Sequence, residues 1–138
     1  AVIDSAFIYS QLPQSIDDGT PVMFNSPSTA APIAFTSPGN TITLEENSVY
    51  KIDFQVNTIT ATGSVWGIAV DGVTDQTRTF MSTTGATQII GSLILPVSVA
   101  PVDIQLINLT GATVDLTNGL ALLPGTSLSA SMTIMKLA

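Results

Sequence analysis

Apolar and polar residues alternate along much of this chain, and they alternate most strictly in SVYKIDFQVNT, Ser48 to Thr58. Tyr50, Ile52, Phe54 and Val56 fall on one side of an extended strand, and Lys51, Asp53, Gln55 and Asn57 on the other. The period of two is that of a β-strand with one face in a core. The same alternation places Trp66, Ile68 and Val70 on one face, and Val102, Ile104 and Leu106 opposite Asp103 and Gln105. Leu128, Ala130, Met132 and Ile134 oppose Ser129, Ser131 and Thr133. Helical periodicity is almost absent, and Pro, Gly, Asn and Ser punctuate the chain at short intervals.

The pattern predicts strands at Ala6–Gln11, Val22–Asn25, Ile33–Phe35, Thr41–Leu44, Val49–Thr58, Val65–Asp71, Arg78–Ser82, Gln88–Val99, Val102–Thr110 and Leu128–Leu137. Asp71-Gly72 supplies a turn, because glycine tolerates positive φ. Pro13, Pro21, Pro27, Pro32 and Pro38 crowd the first third, which therefore reads as edge, loop and short strand. A long connection, Gly111 to Gly125, precedes the last strand. About ten short strands, each with one apolar face, predict an all-β antiparallel two-sheet sandwich of the jelly-roll kind. At 138 residues the chain reads as one such domain, 1–138.

Three places break the alternation. Ile90 and Ile94 stand opposite the Ile89, Leu93, Leu95 and Val97 face. Met135 and Leu137 come up on the Ser/Thr face of the last strand, and Ile107 and Leu109 do the same at the end of theirs. A strand apolar on both faces is covered on both. In a two-layer sandwich the second cover is either a loop of the same chain or a neighbouring chain.

Composition sharpens that choice. Charged residues make up 9% of the chain, against about 25% in typical soluble domains, and mean hydropathy is +0.48. Such a surface is either dressed in Ser, Thr, Asn and Gln or partly buried between subunits, since large exposed apolar patches are uncommon on monomers. The net charge of −7 argues against nucleic acid, which needs a basic footprint, and against anionic membrane. The start AVIDSAFIYS has no signal-peptide pattern, so any export signal is expected upstream. No apolar run is long enough for a membrane-spanning helix.

Chemistry is scarce too. There is no His and no Cys, which removes the Ser-His-Asp arrangement, the thiolate nucleophile and the usual zinc ligands. Lys51 and Lys136 have no Ser in a recognisable nucleophile setting. Asp17-Asp18 and Glu45-Glu46 are adjacent pairs in turns, whereas glycosidase carboxylates must face each other across a cleft. Asp71 and Asp75 offer two calcium-type oxygen ligands without the full loop spacing or the closing Glu. Asn108-Leu109-Thr110 matches a glycosylation sequon. Trp66, in phase with Ile68 and Val70, reads as core rather than as a sugar-stacking ring. No catalytic residue, cofactor or metal site is predicted, and the chain reads as a non-enzyme.

Three motifs carry a family resemblance. They are the aromatic-Lys-Ile strand (Tyr50-Lys51-Ile52), the strand ending in a Gly turn (Val70-Asp71-Gly72), and the closing Lys-aliphatic-Ala (Lys136-Leu137-Ala138). Together, and in strand order over nearly the whole chain, they resemble the C-terminal domain of the BclA-type collagen-like glycoproteins of bacterial spore surfaces. That family shares a tumour-necrosis-factor-like jelly roll with the globular head of the first complement component.

The resemblance implies a compact extracellular homotrimer at the end of a collagen-like stalk on a spore surface (the exosporium) or another bacterial surface filament. The chain itself has no Gly-x-y repeat, so such a stalk would lie upstream. The resemblance also implies that Lys51, Asp53 and Gln55 lie near a neighbouring chain, with Lys51 paired to Asp53 or another carboxylate. Ile90, Ile94, Met135 and Leu137 would form the apolar part of the interface. An adhesin or lectin-like head that binds a host surface protein or glycan is the alternative.

Overall fold

The computed structural model describes residues 2–119 and 125–137. Eleven strands are found: β1 (Asp4–Ser10), β2 (Gln14–Ile16), β3 (Ile33–Phe35), β4 (Ile42–Leu44), β5 (Ser48–Asn57), β6 (Thr62–Val70), β7 (Thr79–Thr84), β8 (Gln88–Val97), β9 (Val102–Asn108), β10 (Val114–Leu116) and β11 (Ala130–Lys136). They form a four-stranded sheet in the order β1-β11-β5-β8 and a five-stranded sheet in the order β3-β4-β9-β6-β7. A two-stranded ribbon, β10-β2, completes the set. Every pairing is antiparallel.

The two sheets pack face to face because each strand commits its alternate apolar residues to the space between them. Ile8, Tyr50, Ile52, Val56, Met132 and Ile134 come from the first sheet, and Ile42, Leu44, Trp66, Ile68, Ile104 and Leu106 from the second, all fully buried. Burying each of the larger of these contributes ~1.5–3 kcal/mol. Trp66 is core, as its phase requires, and its indole N–H donates to Ser64 Oγ at 2.9 Å. Phe54 and Phe80 meet edge to face across the sandwich, with centroids 5.4 Å apart. Phe54 lies directly over Gly91, where an added Cβ would sit 2.2 Å from the ring. The glycine is the space that the ring occupies.

The Asp71-Gly72 turn is present, with φ of 50° and 79°. Two predictions are corrected. Val22–Asn25 is not a ladder strand. Val22 N–H bonds Leu106 O, and Phe24 pairs with Gly39 as an isolated bridge, because prolines on both sides stop the ladder from extending. The connection from Gly111 to Gly125 contains a strand, β10, which pairs with the equally unpredicted β2. Residues 120–124 of that connection, and Ala138 of the closing motif, lie outside the described residues.

Candidate functional site

The outward face of the β1-β11-β5-β8 sheet collects the singled-out residues. Register places Ser5, Met135, Lys51 and Ile94 in one row across the four strands. Phe7, Thr133, Asp53 and Ser92 form the next row, and Tyr9, Ser131, Gln55 and Ile90 the third. Leu137 continues the phase of Met135 and donates its N–H to Val49 O at 2.8 Å. All seven residues predicted for an interface (Lys51, Asp53, Gln55, Ile90, Ile94, Met135 and Leu137) therefore share one face. Within the one chain Lys51 Nζ lies 3.4 Å from Asp53 Oδ2, one of the carboxylates that the resemblance offered it.

The face is organised as two apolar stripes with a polar column between them. Ile90 and Ile94 are 64% and 55% exposed on the β8 edge. On the opposite edge Ile3 and Phe7 are 61% and 51% exposed, and the Phe7 and Tyr9 rings lie 5.2 Å apart. Lys51, Asp53, Gln55, Ser131 and Thr133 fill the middle. The sequence reading missed the β1 stripe. The signal was available: Phe7 and Tyr9 stand out of phase with the buried Ala6 and Ile8, the same break that exposed Ile90.

The other sheet roofs itself. Ile107 is buried, with Pro21 paired beside it, and Leu109 folds over Gly67, where an added Cβ would lie 2.8 Å from its Cδ1. Arg78 crosses the same region, donating from Nε to Ile68 O at 3.1 Å and from Nη2 to Val73 O at 3.0 Å. Of the two covers that the sequence left open, the chain itself supplies the one over β9. Nothing in the described chain covers Ile90 and Ile94.

Of the remaining polar candidates, Asp17, Asp18, Glu46, Asp71, Asp75 and Asn108 have structural partners. Asp18 Oδ1 accepts from Gly111 N–H at 2.8 Å, and Asp17 Oδ1 from Thr113 Oγ1 at 2.9 Å, which ties two loops together. Asp71 Oδ1 accepts from Asp103 N–H at 2.8 Å. Asp75 Oδ1 caps the turn at Thr77, accepting its backbone N–H and its hydroxyl, and these bonds hold the carboxyl below the usual aspartate range. Glu46 Oε1 meets Lys136 Nζ at 3.1 Å, and Glu46 O accepts from the Tyr50 hydroxyl. Burial pushes that phenol above its ordinary value, against the lowering pull of the Glu46 bond and of Lys136. The Asn108 sequon is closed to modification in the folded chain, because Asn108 is fully buried and its Nδ2 donates to Ile16 O and Ala112 O. Among the described residues no group of three or more Asp, Glu, His or Cys could hold a metal ion. No helix among them is long and apolar enough to cross a membrane.

No family model matches the sequence, and no curated protein does. Solved structures do match. The Eiger tumour necrosis factor from S. frugiperda aligns with a TM-score of 0.75 at 13% identity, over 100% of this chain and 94% of that one. Murine APRIL aligns at 0.70 and 12% identity, over 96% and 98%. The globular domain of zebrafish complement 1qA aligns at 0.69 and 11% identity, over 97% of each.

The fold is a tumour-necrosis-factor-type jelly roll. In that jelly roll the open face described above belongs to the sheet that pairs the first described strand, β1, with the last, β11, and Ile3 N–H bonds Lys136 O beside them at 2.8 Å.

Proposed function

We propose that the chain is a non-enzymatic homotrimerisation head, with the open β1-β11-β5-β8 face as its self-association surface. The observation that carries this reading is the pair of apolar stripes at opposite edges of one sheet face. A cyclic trimer is built from heterologous contacts, in which one patch on each protomer meets a different patch on the next. The β8 stripe of Ile90 and Ile94 against the neighbour's β1 stripe of Ile3 and Phe7 satisfies that requirement. Met135 and Leu137 add apolar area beside Lys51. The polar column then faces the axis, where Lys51 arrives already paired with Asp53, so three like charges are not left bare in a confined space. A chain with only 9% charged residues is one whose surface is suited to such burial.

The proposed setting is the extracellular tip of a collagen-like filament, on a spore surface or comparable bacterial surface. The resemblance of the Tyr50-Lys51-Ile52, Val70-Asp71-Gly72 and Lys136-Leu137-Ala138 motifs supports it. Three heads held together raise the local concentration of three stalk chains and lower the entropic cost of winding them. The test is a fusion of this chain downstream of a Gly-Pro-Pro repeat. Triple-helix melting rises above that of the repeat alone if the head sets register, and an unchanged melting temperature removes the assembly role. Antibody labelling of intact spores tests the location. A recognition head is the second reading. It is favoured by a cavity of mixed amide, hydroxyl and apolar lining at the far end of the same face.

A further inference from the structure

We infer that this cavity is a binding site for a neutral saccharide. The inference rests on the recognition reading and gives it a place and a ligand class. The cavity has a volume of about 600 Å³, within the range of roughly 300–1,000 Å³ typical of small-molecule sites. Gln55 and Asn57 of β5, Gln88 of β8, Thr117 from the segment after β10, and Ile59 and Ala86 line it. Ile3 and Lys136, bonded at 2.8 Å, mark the end of the sandwich where β1 begins and β11 closes. This cavity lies at the other end of β5, so a head carried on an upstream stalk presents it outward.

Three properties select the ligand. First, among the described residues no lining residue is ionisable, in a chain of net charge −7. A cation, a phosphate or a carboxylate would enter without a counter-charge, which is costly in a partly desolvated site. Second, the amides have open valences. The Gln55 side chain makes no hydrogen bond to any described residue of its own protomer, and as the last member of the polar column it sits where the self-association face ends and the cavity begins. Gln88 commits one donor, Nε2 to Asn57 Oδ1 at 3.3 Å, and keeps its carbonyl oxygen and second N–H. Amides with a donor and an acceptor side by side match the adjacent hydroxyls of a sugar ring. Third, Ile59, 56% exposed, and the Ala86 methyl offer apolar contact to the C–H face that a sugar ring also carries.

The walls are preorganised, so little ordering cost falls on binding. Asn57 Nδ2 is held by Leu128 O at 2.6 Å, and Asn57 O accepts from Thr117 N–H at 2.9 Å. Thr58 N–H and Oγ1 both donate to Thr87 O, at 2.9 and 3.0 Å. Ala86 N–H bonds Thr60 O at 2.8 Å.

The test titrates ¹⁵N-labelled protein with glucose, galactose, mannose, N-acetylglucosamine and rhamnose, each to tens of millimolar, and follows backbone and side-chain amide signals. At least one sugar produces saturable shifts at Asn57, Gln88 and Thr117, with an affinity unchanged between pH 5 and pH 9 because no described residue of the lining is ionisable. Gln88→Ala and Ile59→Ser each weaken that affinity about three- to tenfold, the loss of one neutral contact, while melting temperature stays as in the unaltered chain. Absence of shifts with all five sugars, shifts clustered elsewhere, or an affinity that follows pH overturns the inference. Light scattering on the same sample separates it from the assembly reading. A monomer that binds sugar leaves the cavity intact as a site, and a trimer that stays silent removes the cavity alone. A glycan-array hit whose shifts map to another surface preserves recognition and removes this site.

Discussion

Replacing both isoleucines of the β8 stripe, Ile90→Ser with Ile94→Ser, isolates the self-association reading from the stability of the sandwich. The two side chains are 64% and 55% exposed, and their cross-strand partners are Gln55 and Lys51. Neither therefore has an apolar neighbour directly opposite in its own sheet. Exposed substitutions of this kind change the stability of an isolated protomer by less than about 0.5 kcal/mol. In the trimer the accounting differs. Fully burying an isoleucine is worth ~1.5–3 kcal/mol, and more than half of each side chain remains to be covered, so each contributes ~1–2 kcal/mol to an interface. The pair contributes ~2–4 kcal/mol per interface, roughly thirty- to seven-hundredfold in the dissociation constant of each contact. A cyclic trimer has three such contacts. Multi-angle light scattering and sedimentation over a dilution series read the outcome. The unaltered chain runs at three times its 14.3 kDa mass, and the double variant falls to one chain mass at concentrations where the unaltered chain does not. Met81→Ser and Val99→Ser serve as controls, since these residues are 65% and 79% exposed but lie off the face, and they leave the mass unchanged. An unaltered chain that is monomeric at every concentration refutes the reasoning, as does a double variant with an unshifted dissociation curve.

Three further outcomes follow from the interior. Gly91→Ala forces a methyl to 2.2 Å from the Phe54 ring. Overpacking of that kind costs about 1–3 kcal/mol, and thermal melting should fall by about 4–12 °C; an unchanged midpoint would show that Phe54 has free room. Asn108→Ala deletes bonds to Ile16 O, Ala112 O and Thr110 N–H in a fully buried place, at about 1–3 kcal/mol for each orphaned group, and denaturant titration should show the loss in the midpoint. The Tyr50 phenol is raised by burial, so the folded state favours its neutral form. Its contribution is complete below the ordinary tyrosine value and is lost as pH rises through the folded one. Melting temperature should therefore fall across the alkaline range more steeply than in Tyr50→Phe, and equal slopes would remove the effect.

Much of the architecture was legible because half-buried strands write their phase into the sequence. β5 was read to within one residue at each end, and β3 matched. What escaped was non-local. β2 and β10 are three residues each, held by pairing with one another, Ile16 against Val114, and by the burial of Ile16, Val114 and Leu116 in the core, and a strand so short carries no pattern that stands out alone. The open face was half legible. A break in alternation marked Ile90, Ile94 and Met135, yet the same break at Ile107 led to a residue that the chain covers by itself. Alternation reports that a second cover is needed, and only the path of the Pro21 and Leu109 segments decides who supplies it. The amide cavity had no linear signature, because β5, β8 and the segments beside β10 and β11 build it from residues far apart in the chain.

The last of the described strands in chain order has an internal place in its sheet. β11 lies between β1 and β5, bonded to the first strand on one side and to the middle of the chain on the other. During synthesis those neighbours wait without their shared partner until β11 itself leaves the ribosome, so this half of the sandwich closes only after every other described strand has been made. Any repeat upstream is by then already made and unpaired. Its winding would therefore start beside the newly closed heads and travel back toward the amino terminus, against the direction in which the chain was born.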